Sequence, residues 1–121
     1  MSLHIELGTA IEHAFPDDLE GTIEYRQDVF IVHLKNGVTL EVHYAAADAY
    51  SLRWVLGEVE SRIDTAPLHP DLATFPHHFH DAAGRIVADP LTRPDATPED
   101  NLHRLIRALL EDPLLGVKDI D

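Results

Sequence analysis

The sequence predicts a single α+β domain. A four- to five-stranded, mainly antiparallel sheet is packed by a C-terminal helix, with a short N-terminal helix and a long ordered loop rich in Pro and His. Three observations predict it. Between residues 22 and 58 apolar side chains recur with a period of two, the mark of half-buried strands. Between 97 and 112 the period becomes that of an amphipathic helix. Between 65 and 98 lie six of the eight prolines, a density that central strands and helix interiors do not absorb. The 121 residues fall within the size of one domain, and no internal repeat or linker divides 1–121 into two cores.

Residues 3–15 open with alternation (Leu3, Ile5, Leu7) and continue with helix-like spacing at Ile11, Ala14 and Phe15, which is read as a short helix. PDDLEG (16–21) is a turn. TIEYR (22–26), VFIVHL (29–34) and VTLEVHY (38–44) are strands. Asn36-Gly37 between the last two is a strong hairpin signal, because a type I′ turn needs positive φ at both central residues. A two-residue turn there sets Lys35 opposite Val38, His33 opposite Leu40, Ile31 opposite Val42 and Val29 opposite Tyr44. His33 is then the single polar member of an apolar face, a core histidine.

YSLRWVLGE (50–58) alternates Tyr50, Leu52, Trp54 and Leu56 with Ser51, Arg53 and Val55, and Gly57 marks its end or a bulge. VESRID (59–64) continues it or returns as a further strand. Residues 65–97 read as the ordered loop, with GRIVA (84–88) the one stretch fit for an edge strand. The final helix is the clearest element. Thr97 is a fitting N-cap, Pro98 takes the first helical position, and Glu99 and Asp100 complement the helix dipole. Leu102, Leu105, Ile106, Leu109 and Leu110 form one apolar stripe, and Asp112-Pro113 stops it. Arg104 and Arg107 are expected to be solvated or to pair with Asp100 and Glu111. A small barrel plugged by the helix is the competing architecture.

Composition narrows the classes of function. No cysteine is present, which excludes disulfide scaffolds, thiol catalysis and thiolate metal sites. No apolar run reaches the ~20 residues of a membrane span, and residues 1–20 lack a signal pattern, so a cytoplasmic chain is expected. The six glycines are scattered and form no phosphate-cradling loop. Twenty-two acids against nine bases give a net charge of −13, and only Lys35 and Lys118 are lysines. That field repels nucleic acid, so any RNA contact must rest on a local Arg/His patch.

Chemistry concentrates in RIDTAPLHPDLATFPHHFH (62–80), which holds four of the nine histidines, His69, His77, His78 and His80, with Arg62, Asp64 and Asp71. In extended backbone His78 and His80 point one way and His77 the other. Three readings stand side by side. In the first, His78 and His80 are an acid/base pair cleaving RNA without metal, Arg62 clamps phosphate, Asp64 holds an imidazole in one tautomer, and His69, His77 and Arg53 contact substrate. In the second, His69, His78, His80 and Asp64 hold a divalent ion. In the third, the cluster only ties down the loop, and the chain is a non-catalytic binding module. Trp54 and Tyr50 are read as core.

Asp64, Ala66-Pro67, His69-Pro70 and Thr74-Phe75-Pro76-His77-His78-x-His80 resemble the hallmark of the TumE-type toxins of prokaryotic toxin–antitoxin systems. The likeness covers about 19 residues. In that family an Arg-Tyr-Asp-Asn segment leads through Ala-Pro-His-His-Pro to Pro-His-His-Lys-His. Here Ile63 stands in place of the aromatic residue, Thr65 of the Asn, Leu68 of the first His and Phe79 of the basic residue. The resemblance implies a toxin and a small antitoxin partner encoded by an adjacent gene, and leaves a homodimer open.

The acid excess, Asp-heavy and Lys-poor, matches proteins adapted to concentrated salt, where a screening length of ~3 Å at 1 M makes self-repulsion tolerable. The melting temperature is therefore expected to rise steeply between low and molar KCl. A flat melting temperature over that range removes the halophilic reading.

Overall fold

A computed structural model describes residues 2–117. Helix α1 spans Leu3–Ala14, and strands β1 to β7 span Glu24–Tyr25, Phe30–His33, Thr39–Ala46, Ala49–Leu56, Val59–Asp64, His78–His80 and Ile86–Ala88. Helix α2 spans Pro98–Glu111. The seven strands form one sheet in chain order, each antiparallel to the next, with β1 and β7 at its edges. The sheet is an open meander rather than a barrel.

The sheet exceeds the expected four to five strands because the Pro-rich stretch is not one loop. Its prolines fall at 67, 70 and 76 and again at 90, 94 and 98, leaving 77–89 free to pair. Within that gap β6 and β7 form a hairpin. The Asp81 carboxylate accepts from the amides of Ala83 and Arg85, and Gly84 takes the positive φ (84°) the turn needs.

The first hairpin is also corrected. Leu34, not Lys35, pairs with Val38. The Leu34 amide donates to the Val38 carbonyl, and the Gly37 amide closes a turn on the Leu34 carbonyl. Lys35-Asn36-Gly37 thus forms a three-residue loop ending in a left-handed glycine (φ 96°). The one-residue slip turns every β2 side chain to the other face. Phe30 now faces Val42 and Val32 faces Leu40, all fully buried, while Ile31 meets Glu41 and His33 meets Thr39. His33 therefore leaves the core for the open face, where its Nε2 pairs with Glu24 at 2.5 Å.

One face carries the apolar row Phe30–Val42–Leu52–Ile63–Phe79, with Val32, Leu40 and Trp54 beside it. Both helices cover it, through Leu7 and Ile11 of α1 and Leu102, Leu105, Ile106 and Leu109 of α2. Trp54 stacks on Phe79, and its indole N–H donates to the Pro113 carbonyl. Tyr50 is likewise buried. The Thr97 hydroxyl caps α2 by accepting from the Asp100 amide. Arg104 donates to the Leu91 carbonyl rather than to Asp100. The opposite face is polar, and among the described residues no helix covers it.

Leu105 is fully buried between α2 and the sheet. Leu105→Ala should cost about 2–5 kcal/mol by loss of transfer energy and a cavity. Chemical denaturation measures this, and a cost below about 1 kcal/mol would mean that α2 is not docked on the sheet.

Candidate functional site

The pairing of β5 with β6 assembles the polar cluster. Arg62 stands opposite His80, Ile63 opposite Phe79 and Asp64 opposite His78. Alternation sends Ile63 and Phe79 into the core and leaves the other four on the open face. Ser51 and Arg53 of β4 extend the same two rows, opposite Asp64 and Arg62. The segment after β5 then folds back over this corner. The Asp64 carboxylate accepts from the Ala66 amide, and the His69 ring packs edge-on against His78, centroids 4.7 Å apart.

Polar atoms converge there. His78 Nε2 lies 3.0 Å from His80 Nε2 and 3.1 Å from Asp64 Oδ1. Arg62 Nη2 lies 3.2 Å from His80 Nε2, and Arg62 Nε lies 2.9 Å from Asp64 Oδ2. That Nε–H makes no well-directed hydrogen bond and is shut from solvent, so the guanidinium is held by charge more than by geometry. Since Arg62 only donates, His80 Nε2 receives it with its lone pair. Burial first, then the Arg62 charge and the neighbouring His78, lower the His80 pKa below its ordinary 6.5, and Asp64 opposes them. His80 is therefore neutral at pH 7.

Access separates the residues. Side-chain exposure is 42% for Arg62, 27% for His80 and 13% for Asp64, but 1% for His78. His78, expected as half of an acid/base pair, is almost wholly shut from solvent, whereas His80 is partly open to it. Two hollows flank the corner. One of about 260 Å³ is lined by Arg62, His80, Ser61 and Asp81, and another of about 430 Å³ by His43, Tyr50, Ser51, Asp64 and Pro67. Sequence reasoning missed Ser51 and the hollow it lines, because only the β4–β5 register brings Ser51 to Asp64.

Two further expected residues fare differently. His77 is turned to the helix-bearing side, where Nδ1 pairs with a buried Asp89, so the structure does not bring it to the cluster. Arg53 shares the open face but is held by Glu41 and Glu60.

The family model described as Toxin TumE matches residues 5–113. The chain belongs to the TumE toxin family. The match spans both helices nearly whole and all seven strands, so family membership rests on the fold-forming sequence as well as on the His-rich segment. No match was found among curated proteins or among solved structures.

In the TumE-family chain described here, folded His80 holds a proton less tightly than the unfolded chain does. Stability is thus unaffected above the unfolded value of about 6.5 and falls as pH drops below it, until the folded form also protonates. Thermal melts in a chelator between about pH 7.5 and 5 should show a smaller loss for His80→Gln than for wild type. Equal slopes would mean that burial and Arg62 do not disfavour the imidazolium.

Proposed function

We propose that this chain is the toxin of a toxin–antitoxin pair and works as a metal-independent ribonuclease at the open-face corner. Membership of a toxin family supports the first part and implies a cognate antitoxin, expected from an adjacent gene. The observation that carries the second is His80: a neutral imidazole beside an arginine, both lining the hollow of about 260 Å³. RNA laid along the hollows brings a phosphate to Arg62, whose fork leaves His80 Nε2 for the phosphate oxygens. His80 Nε2 then takes the proton of the ribose 2′-OH. The 2′-oxygen bonds to phosphorus as the bond from phosphorus to the 5′-oxygen breaks. An imidazolium at His69, its ring centroid 6.5 Å from that of His80, gives its own proton to the departing 5′-oxygen. The products are a 2′,3′-cyclic phosphate and a 5′-hydroxyl. Asp64 and His78 are positioning residues, since they reach the substrate through Arg62 and His80. Arg53 borders the site on the neighbouring strand and steadies the groove through Glu41 and Glu60.

One observation favours a second reading. Asp64, His78 and His80 each offer a ligand atom, and these lie within 4.8 Å of one another. Two imidazoles and a carboxylate suit a divalent transition metal, and His69, expected as a fourth ligand, is not part of this group. The Arg62 guanidinium against His80 Nε2 opposes a cation there.

The test is cleavage of RNA, with growth inhibition on induction run beside it. His80→Ala should lower the rate by about 10²–10⁴ while leaving the melt intact. Arg62→Lys should also lose activity, because a point charge cannot reproduce a forked contact. Asp64→Asn should cost less than His80→Ala. A chelator should leave the rate unchanged; loss on chelation, restored by manganese or zinc, establishes the metal reading instead. Folded His80→Ala protein that still arrests growth leaves the binding-module reading.

A further inference from the structure

His77 is the histidine the open-face cluster does not use, and its surroundings form a site of their own. Nδ1 lies 2.8 Å from Asp89 Oδ2, with the His77 side chain 9% exposed and the carboxylate fully buried. Asp89 is otherwise saturated. Oδ1 accepts from the amides of Leu91 and Thr92, and Oδ2 accepts from the Thr92 hydroxyl, itself bonded to Tyr50. These bonds fix the Nδ1–H of His77 on Asp89, the arrangement by which a carboxylate orients an imidazole for work at its other nitrogen. That nitrogen, Nε2, has no hydrogen-bond partner among the described residues, and the side chain is 9% exposed.

A cavity of about 250 Å³ opens there, lined by His77, Asp89, Thr74, Thr92, Arg93 and Arg104 among others. The two arginines come from different elements, Arg93 from the loop before α2 and Arg104 from α2 itself. Buried Asn101 locks the two together, its Oδ1 accepting from the Arg93 amide and its Nδ2 donating to the Arg93 carbonyl. Each arginine is tethered without being used up. Arg93 gives two N–H groups to Asp95, and Arg104 gives one to the Leu91 carbonyl, out of five each. In a chain of net charge −13, two exposed arginines on one small cavity are a local exception. The carboxylate in its wall, Asp89, is already covered by four donors.

We propose that this cavity binds a phosphate group, either free phosphate or a phosphate monoester, at a site separate from Arg62, Asp64 and His80. Arg93 and Arg104 donate to its oxygens, and His77 Nε2 engages the remaining oxygen or its proton. The volume lies below the roughly 300–1,000 Å³ of a site for a drug-sized ligand, which suits a phosphate head with the rest of an ester outside. The proposal stands independently of RNA cleavage, and its test reads binding rather than activity.

The experiment is a titration of the full chain at fixed pH, followed by the side-chain nitrogen NMR signals of histidine and arginine. The probes are inorganic phosphate and adenosine 3′-monophosphate. Saturable shifts of the His77 and Arg104 signals are expected, with Kd on the order of 1 mM or tighter. Arg104→Gln and Arg93→Gln, both exposed positions, should each weaken binding about tenfold or more. Arg107→Gln, on the same helix but outside the cavity, should not. A tighter monophosphate assigns the site to esterified phosphate, and equal affinities assign it to the free ion. No saturable shift with either probe overturns the proposal, as does an affinity unchanged in folded Arg104→Gln and Arg93→Gln.

Discussion

The antiparallel pairing of β5 with β6 is the constraint on which the rest depends. It joins residues fourteen to eighteen apart in sequence and sets three pairs in register. Its middle pair, Ile63 with Phe79, is buried and extends the apolar row that both helices cover, with Phe79 stacked on Trp54. Its outer pairs place a guanidinium, two imidazoles and a carboxylate together on the open face. Core and site are thus two sides of the same six residues. A slip of β6 by one residue would put His78 and His80 against the helices and Phe79 on the open face, at the full cost of burying unpaired polar groups.

The same alternation sorts the histidines. His78 and His80 share a face and His77 takes the other, so adjacent residues in one motif serve two environments. His77 and Asp89 form a buried ionisable pair steadied by Thr92 and Tyr50. His80 is kept neutral by burial and by Arg62. The chain's scarce positive charges are placed accordingly. Arg53 is neutralised by two carboxylates, Arg62 and Arg93 are each paired with one, and Arg62, Arg93 and Arg104 border hollows. An acidic protein presents cationic contacts at a few points only, against a repulsive background that salt screens.

Much of the architecture was legible in the chain. Period-two patterning located β2, β3 and β4 to within one or two residues, and the cap, dipole and stripe signals located α2 from Pro98 to Glu111. Both are local signals, written in residues that touch their near neighbours. The turn at Asn36-Gly37 was legible as a turn but not as a three-residue loop. The dipeptide fits both geometries, and burying Phe30, Val32 and Leu34 together decided between them. GRIVA was legible as an edge strand and contains β7, but the proline density concealed its partner β6, because the prolines leave a gap at 77–89.

The sequence by itself determined the α+β class, the family and the candidate groups of residues 62–80, since composition, periodicity and motif spacing are properties of the linear chain. Tertiary structure alone decided which of those groups meet. Strand register brought Ser51 to Asp64, chain reversal buried His78 beneath His69, and α2 carried Arg104 to the cavity that His77 enters. Each is a contact between segments far apart in sequence. Such contacts are fixed by the packing of one shared core rather than by any residue's own preference.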